Sequence, residues 1–247
     1  MSNLIDGLSF SLFFSYDFER SDTAERIIHT FMSSGDLVRP VSYGVFGPKS
    51  SIKDIGEISG ILAEPCGSGH GSRSGSLVLE RDRTCGYQIQ WNKSQEVGFP
   101  FIGGHLMFSA YSNHVSVRDD FVGLVRALVS QLSPAYGEIR SMATKGWDAP
   151  VNLMMRLPDI PPVSIYGTEY IEHFGADRIE SAPFLRKERV GSCYWLVASD
   201  SFEDSVPDAE RLAIRSSLGE KSFMADGRWR YPDGDAPDFD LSFSLCN

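Results

Sequence analysis

Ser76-Leu-Val-Leu-Glu80, Gly86-Tyr-Gln-Ile-Gln-Trp91, His105-Leu-Met-Phe-Ser-Ala-Tyr111 and then Val117 through Leu132 form the stretch that decides the fold class. The first three segments are short, rich in aliphatic and aromatic residues, and separated by polar or Gly/Pro turns, which predicts an antiparallel meander. In the fourth, Val117, Phe121, Leu124, Val125, Leu128, Val129 and Leu132 recur at helical spacing and give a long helix one apolar face. Ser116 stands where a cap belongs, with Asp119 three residues on, and Pro134 ends the run.

Working outward, Leu8 to Tyr16 reads as a buried strand and is followed by a helix that Asp22 caps with Glu25. Ile27, Ile28 and Phe31 supply the core stripe of that helix, and Gly35 is its left-handed terminator. Ile52, Ile55, Ile58, Ile61 and Leu62 have near-helical spacing weakened by Gly56 and Gly60, and Cys66 to Gly75 reads as a flexible loop. Tyr136 to Met142 is a returning strand. Residues 1–145 therefore form an α+β lobe, a mostly antiparallel sheet with helices packed on one face.

A proline-punctuated segment, Trp147 to Pro162, introduces a second α+β lobe at 146–247 that packs closely on the first or continues it. It holds a short helix Thr168 to Phe174 closed by Gly175, a helical turn near Asp177 to Ser181, and two strands, Phe184 to Val190 and Ser192 to Ser199, turned at Gly191. A last helix follows, capped by Ser205, with Leu212, Ile214 and Leu218 inward and Gly219 as terminator. Leu241 to Leu245 alternates like an edge strand.

The chain has 247 residues, 42% of them apolar and 23% charged, which excludes fibrous and disordered classes. No apolar run is long enough to span a membrane and the N-terminal residues lack a signal pattern, so a cytoplasmic protein with no membrane partner is expected. Cys66, Cys85, Cys193 and Cys246 have no metal or disulfide spacing. The net charge is −10, with 16 acids against 13 bases in residues 1–150 and 17 against 10 in residues 151–247. Such a surface repels phosphate backbones, so direct nucleic-acid binding is not expected, and it attracts a basic partner.

No nucleophile elbow, zinc-protease helix, P-loop or dinucleotide fingerprint is present, and no cofactor or metal is expected. The glycine run at 67–75 opens no helix and is followed by no Lys-Ser/Thr pair, so it reads as a loop and not a phosphate cradle. Asp17, His105, His114 and Asp119 could serve a small metal-dependent or hydrolytic enzyme only if the tertiary fold brought them together. The acidic clusters say more. Glu203, Asp204, Asp208 and Glu210 crowd the start of the last helix, and Asp233, Asp235, Asp238 and Asp240 alternate with Trp229, Tyr231 and Phe239. Acids that steer a basic partner and aromatics that anchor it make a protein-binding surface.

The run Ile165-Tyr-Gly-Thr-Glu-Tyr-Ile-Glu-His-Phe-Gly-Ala-Asp-Arg-Ile-Glu-Ser-Ala-Pro183 resembles immunity protein family 52 of bacterial polymorphic toxin systems. The likeness continues through Tyr194-Trp-Leu-Val197, Asp200-Ser-Phe202, Leu212 to Gly219 and Phe223, covering 158–224. It implies an antitoxin without catalysis, which binds and neutralises a cognate secreted toxin. Toxins paired with this family are commonly restriction-endonuclease-like nucleases delivered by contact-dependent, type VI-like secretion. The motif is made of glycines, aromatics and helix-packing residues, so it transfers no functional side chain.

Overall fold

The computed structural model describes residues 6–16, 18, 21–45, 47, 50–63, 74–92, 99–143, 153, 156–202, 205–224 and 235–239. Ten strands form one antiparallel sheet: β1 Gly7–Phe13, β2 Ser42–Gly44, β3 Ser50–Ser51, β4 Ser74–Asp82, β5 Cys85–Asn92, β6 Phe101–Met107, β7 Tyr136–Ser141, β8 Val163–Tyr166, β9 Arg186–Val190 and β10 Cys193–Val197. Their spatial order is β3-β2-β4-β5-β6-β1-β7-β8-β10-β9. The helices are α1 Ser21–Met32, α2 Ile55–Ala63, α3 His114–Leu132, α4 Thr168–Phe174, α5 Ala176–Ser181 and α6 Asp208–Leu218. The protein is thus α+β, with the expected meander at β4-β5-β6.

Strand alternation sends successive side chains to opposite faces and builds two cores on one sheet. Leu8, Phe10 and Leu12 of β1, Ile139 of β7, Val163 and Ile165 of β8 and Trp195 of β10 face α1, α2 and α3. Tyr136, Tyr166, Tyr194 and Leu196 face the other way, toward Tyr170, Phe174, Ile179, Ile214 and Leu218 of α4, α5 and α6. With both faces covered, β8 and β10 are buried at every residue, which explains the unbroken apolar run Cys193-Tyr-Trp-Leu-Val197. The boundary drawn between residues 145 and 146 falls between β7 and β8, which pair directly, Tyr136 opposite Tyr166 and Ile139 opposite Val163. The two halves therefore share a sheet, and the second core lies on its reverse side.

All seven apolar residues read as the inner face of α3 are buried. Its cap is not Ser116, however. Asn113 holds that place, its side-chain oxygen accepting from the Ser116 amide at 3.2 Å while its amide nitrogen donates to Ser116 Oγ at 2.8 Å. The third meander strand starts at Phe101 rather than His105, and Phe108–Ala110 is a 3₁₀ turn. The pair Gly103-Gly104 lies inside that strand because aromatic rings pack on its backbone: a Cβ on Gly104 would come within 2.6 Å of both Phe10 and Tyr87. Gly35 is not left-handed, since it is absent from the positive-φ glycines, Gly47, Gly175, Gly191 and Gly219.

On the reverse face, α6 begins at Asp208 with Pro207 as its cap residue, not Ser205, and Leu212 is 49% exposed while Ile214 and Leu218 are buried. Ile214 and Leu218 lie one turn apart, and Leu212, two residues before Ile214, falls on the other side of the helix. Gly175 and Gly219 end their helices with φ of 83° and 121°, and Gly191 turns β9 into β10 with φ of 61°. The segment before β8 is packed, with Leu157, Ile160 and the family-like core residues in one cluster. The Cys66–Arg73 part of the glycine-rich loop and the Leu241 to Leu245 strand lie outside the described residues, as do Cys66 and Cys246; Ser74 and Gly75 belong to β4.

Cys85 and Cys193 are buried free thiols. Burial pushes the Cys85 thiol up to about 12 and Cys193 to about 11. The unfolded chain loses these protons nearer pH 9, so the thiols contribute stability below that pH which is lost as pH rises toward 11–12. Alkylation at pH 8 followed by mass spectrometry should leave both unmodified in the folded protein and label them in urea. Fast labelling of either without denaturant would contradict this burial.

Candidate partner-binding surface

Asp208 and Glu210 stand exposed in the first turn of α6, where carboxylates complement the helix dipole. Asp208 is ion-paired with Arg211. Arg211 and Arg215 also reach inward to Asp159, at 2.8 and 3.1 Å. Arg211 thus meets Asp208, Arg215 turns to Asp159, and Glu210 has no ion pair among the described residues. Asp235 lies at its other end, where a Cβ on Gly219 would sit 3.8 Å from Asp235 Oδ2. Among the described residues, Asp208 and Asp235 are therefore separated by the length of α6, about 15 Å at 1.5 Å per residue. Asp238 is exposed, whereas Phe239 is 8% exposed and packs edge-on against Phe99 at 4.8 Å, so this aromatic is core and not an anchor for a partner. Glu203, Asp204, Trp229, Tyr231, Asp233 and Asp240 lie outside the described residues.

Asp235 is engaged. Ser222 Oγ donates to its Oδ2 at 2.9 Å, and His173 Nε2 is 3.6 Å from its Oδ1. His173 Nε2 is also 3.3 Å from Ser222 Oγ. Serine, histidine and aspartate meet here without forming a nucleophilic triad, for two reasons. Serine and aspartate share one ring nitrogen instead of occupying both, and Ser222 is 2% exposed. Burial lowers the His173 pKa, with Asp235 acting in the opposite direction, which favours a neutral ring. The group latches the segment 235–239 onto α4 and the end of α6.

The structure adds acids that the sequence reading passed over. Glu172 of α4 and Asp177 of α5 are exposed and have no ion pair among the described residues. Glu180 is also exposed and accepts from the Tyr194 hydroxyl at 2.6 Å. The available signal was the spacing of Glu169 with Glu172 and Asp177 with Glu180, three apart on helices, which puts each pair on one side. Because α4 and α5 are short, these acids read as ordinary solvated positions.

The enzyme-like set does not assemble from the described residues. His105 follows Gly104, whose Cβ would meet Phe10 and Tyr87, and precedes the core residue Leu106, so it points to the face opposite the helix α3. His114 and Asp119 belong to α3, where His114 stacks on Phe108 at 5.8 Å and Asp119 lies 3.5 Å from Arg118. The sheet separates them from His105. Burial lowers the His105 pKa, against the pull of Glu80 and Asp82. Asp17 lies outside the described residues, and among those described no three His, Cys, Asp or Glu side chains gather as a metal site.

With this geometry in hand, comparison with known proteins gives one likeness of fold. The chain is similar to the Pseudomonas aeruginosa T6SS protein PA0821, with a TM-score of 0.58 at 12% identity over 86% of this chain and 72% of that one. No family model matches the chain. No curated protein matches it either. Among the described residues no helix is long and apolar enough to cross a membrane.

Proposed function

We propose that this chain is an immunity-type protein of a toxin system related to type VI secretion, acting in the cytoplasm by binding a cognate toxin and blocking it without chemistry of its own. The likeness of fold to a type VI secretion protein, extending over 86% of the chain, carries the reading. The family-like residues at 158–224 support it from the sequence side, since Tyr166, Tyr170, Phe174, Ile179 and Ala182 of that run build one core. A nuclease toxin fits as partner because a site that holds phosphates is basic, and a chain of net charge −10 attracts it. The exposed acids of the reverse face, Glu172, Asp177, Glu210 and Asp238, form the steering surface.

Calorimetric titration into the catalytically inactive product of the adjacent gene, at two salt concentrations, tests the reading. Nanomolar binding that weakens with salt is the expected result, and no binding at either salt overturns it. Charge reversal then tests the placement. Asp235 is a poor choice, because its loss also breaks the contacts with Ser222 and His173. Reversing Glu172, Glu210 and Asp238 together should slow association on the order of tenfold at low salt and much less at high salt. An unchanged on-rate would remove the steering role from these residues.

A further inference from the structure

An open cleft of about 480 Å³ runs between α1 and α3, on the sheet face opposite α4, α5 and α6. At one end are Asp119, Asp120 and Gly35, and toward the other are Arg26 and Gln131. The two ends differ in how well their charges are met. Arg26 has a counter-charge, the Asp22 carboxylate at 4.0 Å, and also donates to the carbonyl oxygens of Asp22 and Gln131 and the hydroxyl of Thr23, at 3.2 to 3.3 Å. Asp120 is half-buried and has no hydrogen bond or ion pair among the described residues. Its carboxylate lies against Gly35, where a Cβ would come well under 3.0 Å from the carboxylate atoms. The uncompensated charge in the cleft is therefore negative.

A second observation comes from Gly123, in the middle of the 19-residue α3 and on the cleft wall. Glycine is a poor helix former, and an interior glycine ordinarily marks a close approach. Here a Cβ would meet nothing within 4 Å, so no neighbour among the described residues requires its absence. With Ala127 one turn on, Gly123 leaves this exposed stretch of the cleft wall without a large side chain, beside an unpaired carboxylate.

We infer that the α1–α3 cleft is a docking site for an arginine or lysine side chain of a protein partner, received by Asp120 with Asp119 at the mouth. This rests on the reading that the partner is a basic protein, and it adds a contact on the face away from the steering acids. A guanidinium donates to a carboxylate through two parallel N–H groups, which gives such a contact geometry as well as charge.

The test uses the full chain, labelled with ¹⁵N, and two variants. Gly123→Leu fills the cleft from a position with open space and favours the helix, so it should fold and melt no lower than the wild type. Asp120→Asn removes the charge and keeps the shape. Titration with arginine amide should give saturable shifts at the amides of Gly35, Asp120 and Gly123 that are lost in both variants. Absent shifts, or shifts that persist in both variants, overturn the site. Binding to the inactive toxin should weaken at least tenfold in Gly123→Leu, and undiminished affinity overturns the assignment of the cleft to that partner while leaving the immunity reading intact. Failure of the wild type to bind the toxin overturns the immunity reading, and the arginine amide titration still decides whether the cleft takes a basic group.

Discussion

Replacing Glu138 by Gln is expected to lower the free energy of unfolding by about 3–5 kcal/mol, the usual cost of removing one partner from a buried ion pair. Glu138 lies on β7 with 6% exposure, beneath the second core. Arg140 donates to its two carboxylate oxygens from Nε and Nη2, at 2.7 and 2.8 Å, and the Tyr136 hydroxyl donates to Oε2 at 2.8 Å. All three residues point to one face because they are spaced by two along a strand. Burial works against the Arg140 charge, but Glu138, through its charge and hydrogen bonds, raises the Arg140 pKa overall. A glutamine keeps the shape yet leaves that largely buried guanidinium without its partner's charge.

Urea denaturation of Glu138→Gln measures the loss. The companion variant, Glu138→Met with Arg140→Met, removes both charges and should recover much of it, because the double replacement strands no ion. A single-variant loss below about 1 kcal/mol would mean that the pair is solvated like a surface bridge.

The other large effect is steric. Gly167→Ala should destabilise the protein by about 3 kcal/mol or more, at or beyond the upper end of ordinary overpacking. Gly167 joins β8 to α4 with φ of −81° and ψ of −171°, which is extended backbone open to any residue, so torsional freedom is not why glycine is there. Its amide donates to the Ala135 carbonyl at 2.9 Å, continuing the β7–β8 ladder by one step. A Cβ at that position would come well under 3.0 Å from the Pro134 carbonyl oxygen and to 3.0 Å from Ala135 Cα. Those are backbone atoms, and they can retreat only if the ladder opens. Gly60→Ala in α2, where a Cβ meets nothing within 4 Å, is the control and should hold or gain stability. Comparable melting temperatures for the two variants would refute the steric account.

Gly167 also shows why a motif can be legible and still silent about chemistry. Tyr166-Gly167, Phe174-Gly175 and Ala182-Pro183 carry the resemblance to the immunity family, and their glycines serve packing and turning. Gly167 approaches a carbonyl, and Gly175, with φ of 83°, breaks α4 from α5. The aromatics beside them face one core. Such residues specify a fold, so the same motif can stand under different surfaces.

The sequence by itself determined the longer helices and the inner face of α3, though not β2, β3 or β8, because helical periodicity is local: seven apolar positions at 3.6-residue spacing can all be buried only by packing that one side. It also determined the meander β4-β5-β6 and the tight turn at Gly191, where short connections leave little choice of partner. Tertiary structure decided the rest. Only the pairing of β7 with β8 made one sheet of two expected lobes and put the second core behind the first. Only packing showed that Gly103-Gly104 belongs inside a strand, Gly103 under the ring of Phe101 and Gly104 under those of Phe10 and Tyr87. For the candidate site the limit was the same. Charge is visible along the chain, but whether a carboxylate is free depends on neighbours distant in sequence: Arg211 meets Asp159, Asp235 meets His173 and Ser222, and Asp120 lies against Gly35 with no hydrogen bond or ion pair among the described residues. Composition counts acids, and three-dimensional contact decides which of them remain available to a partner.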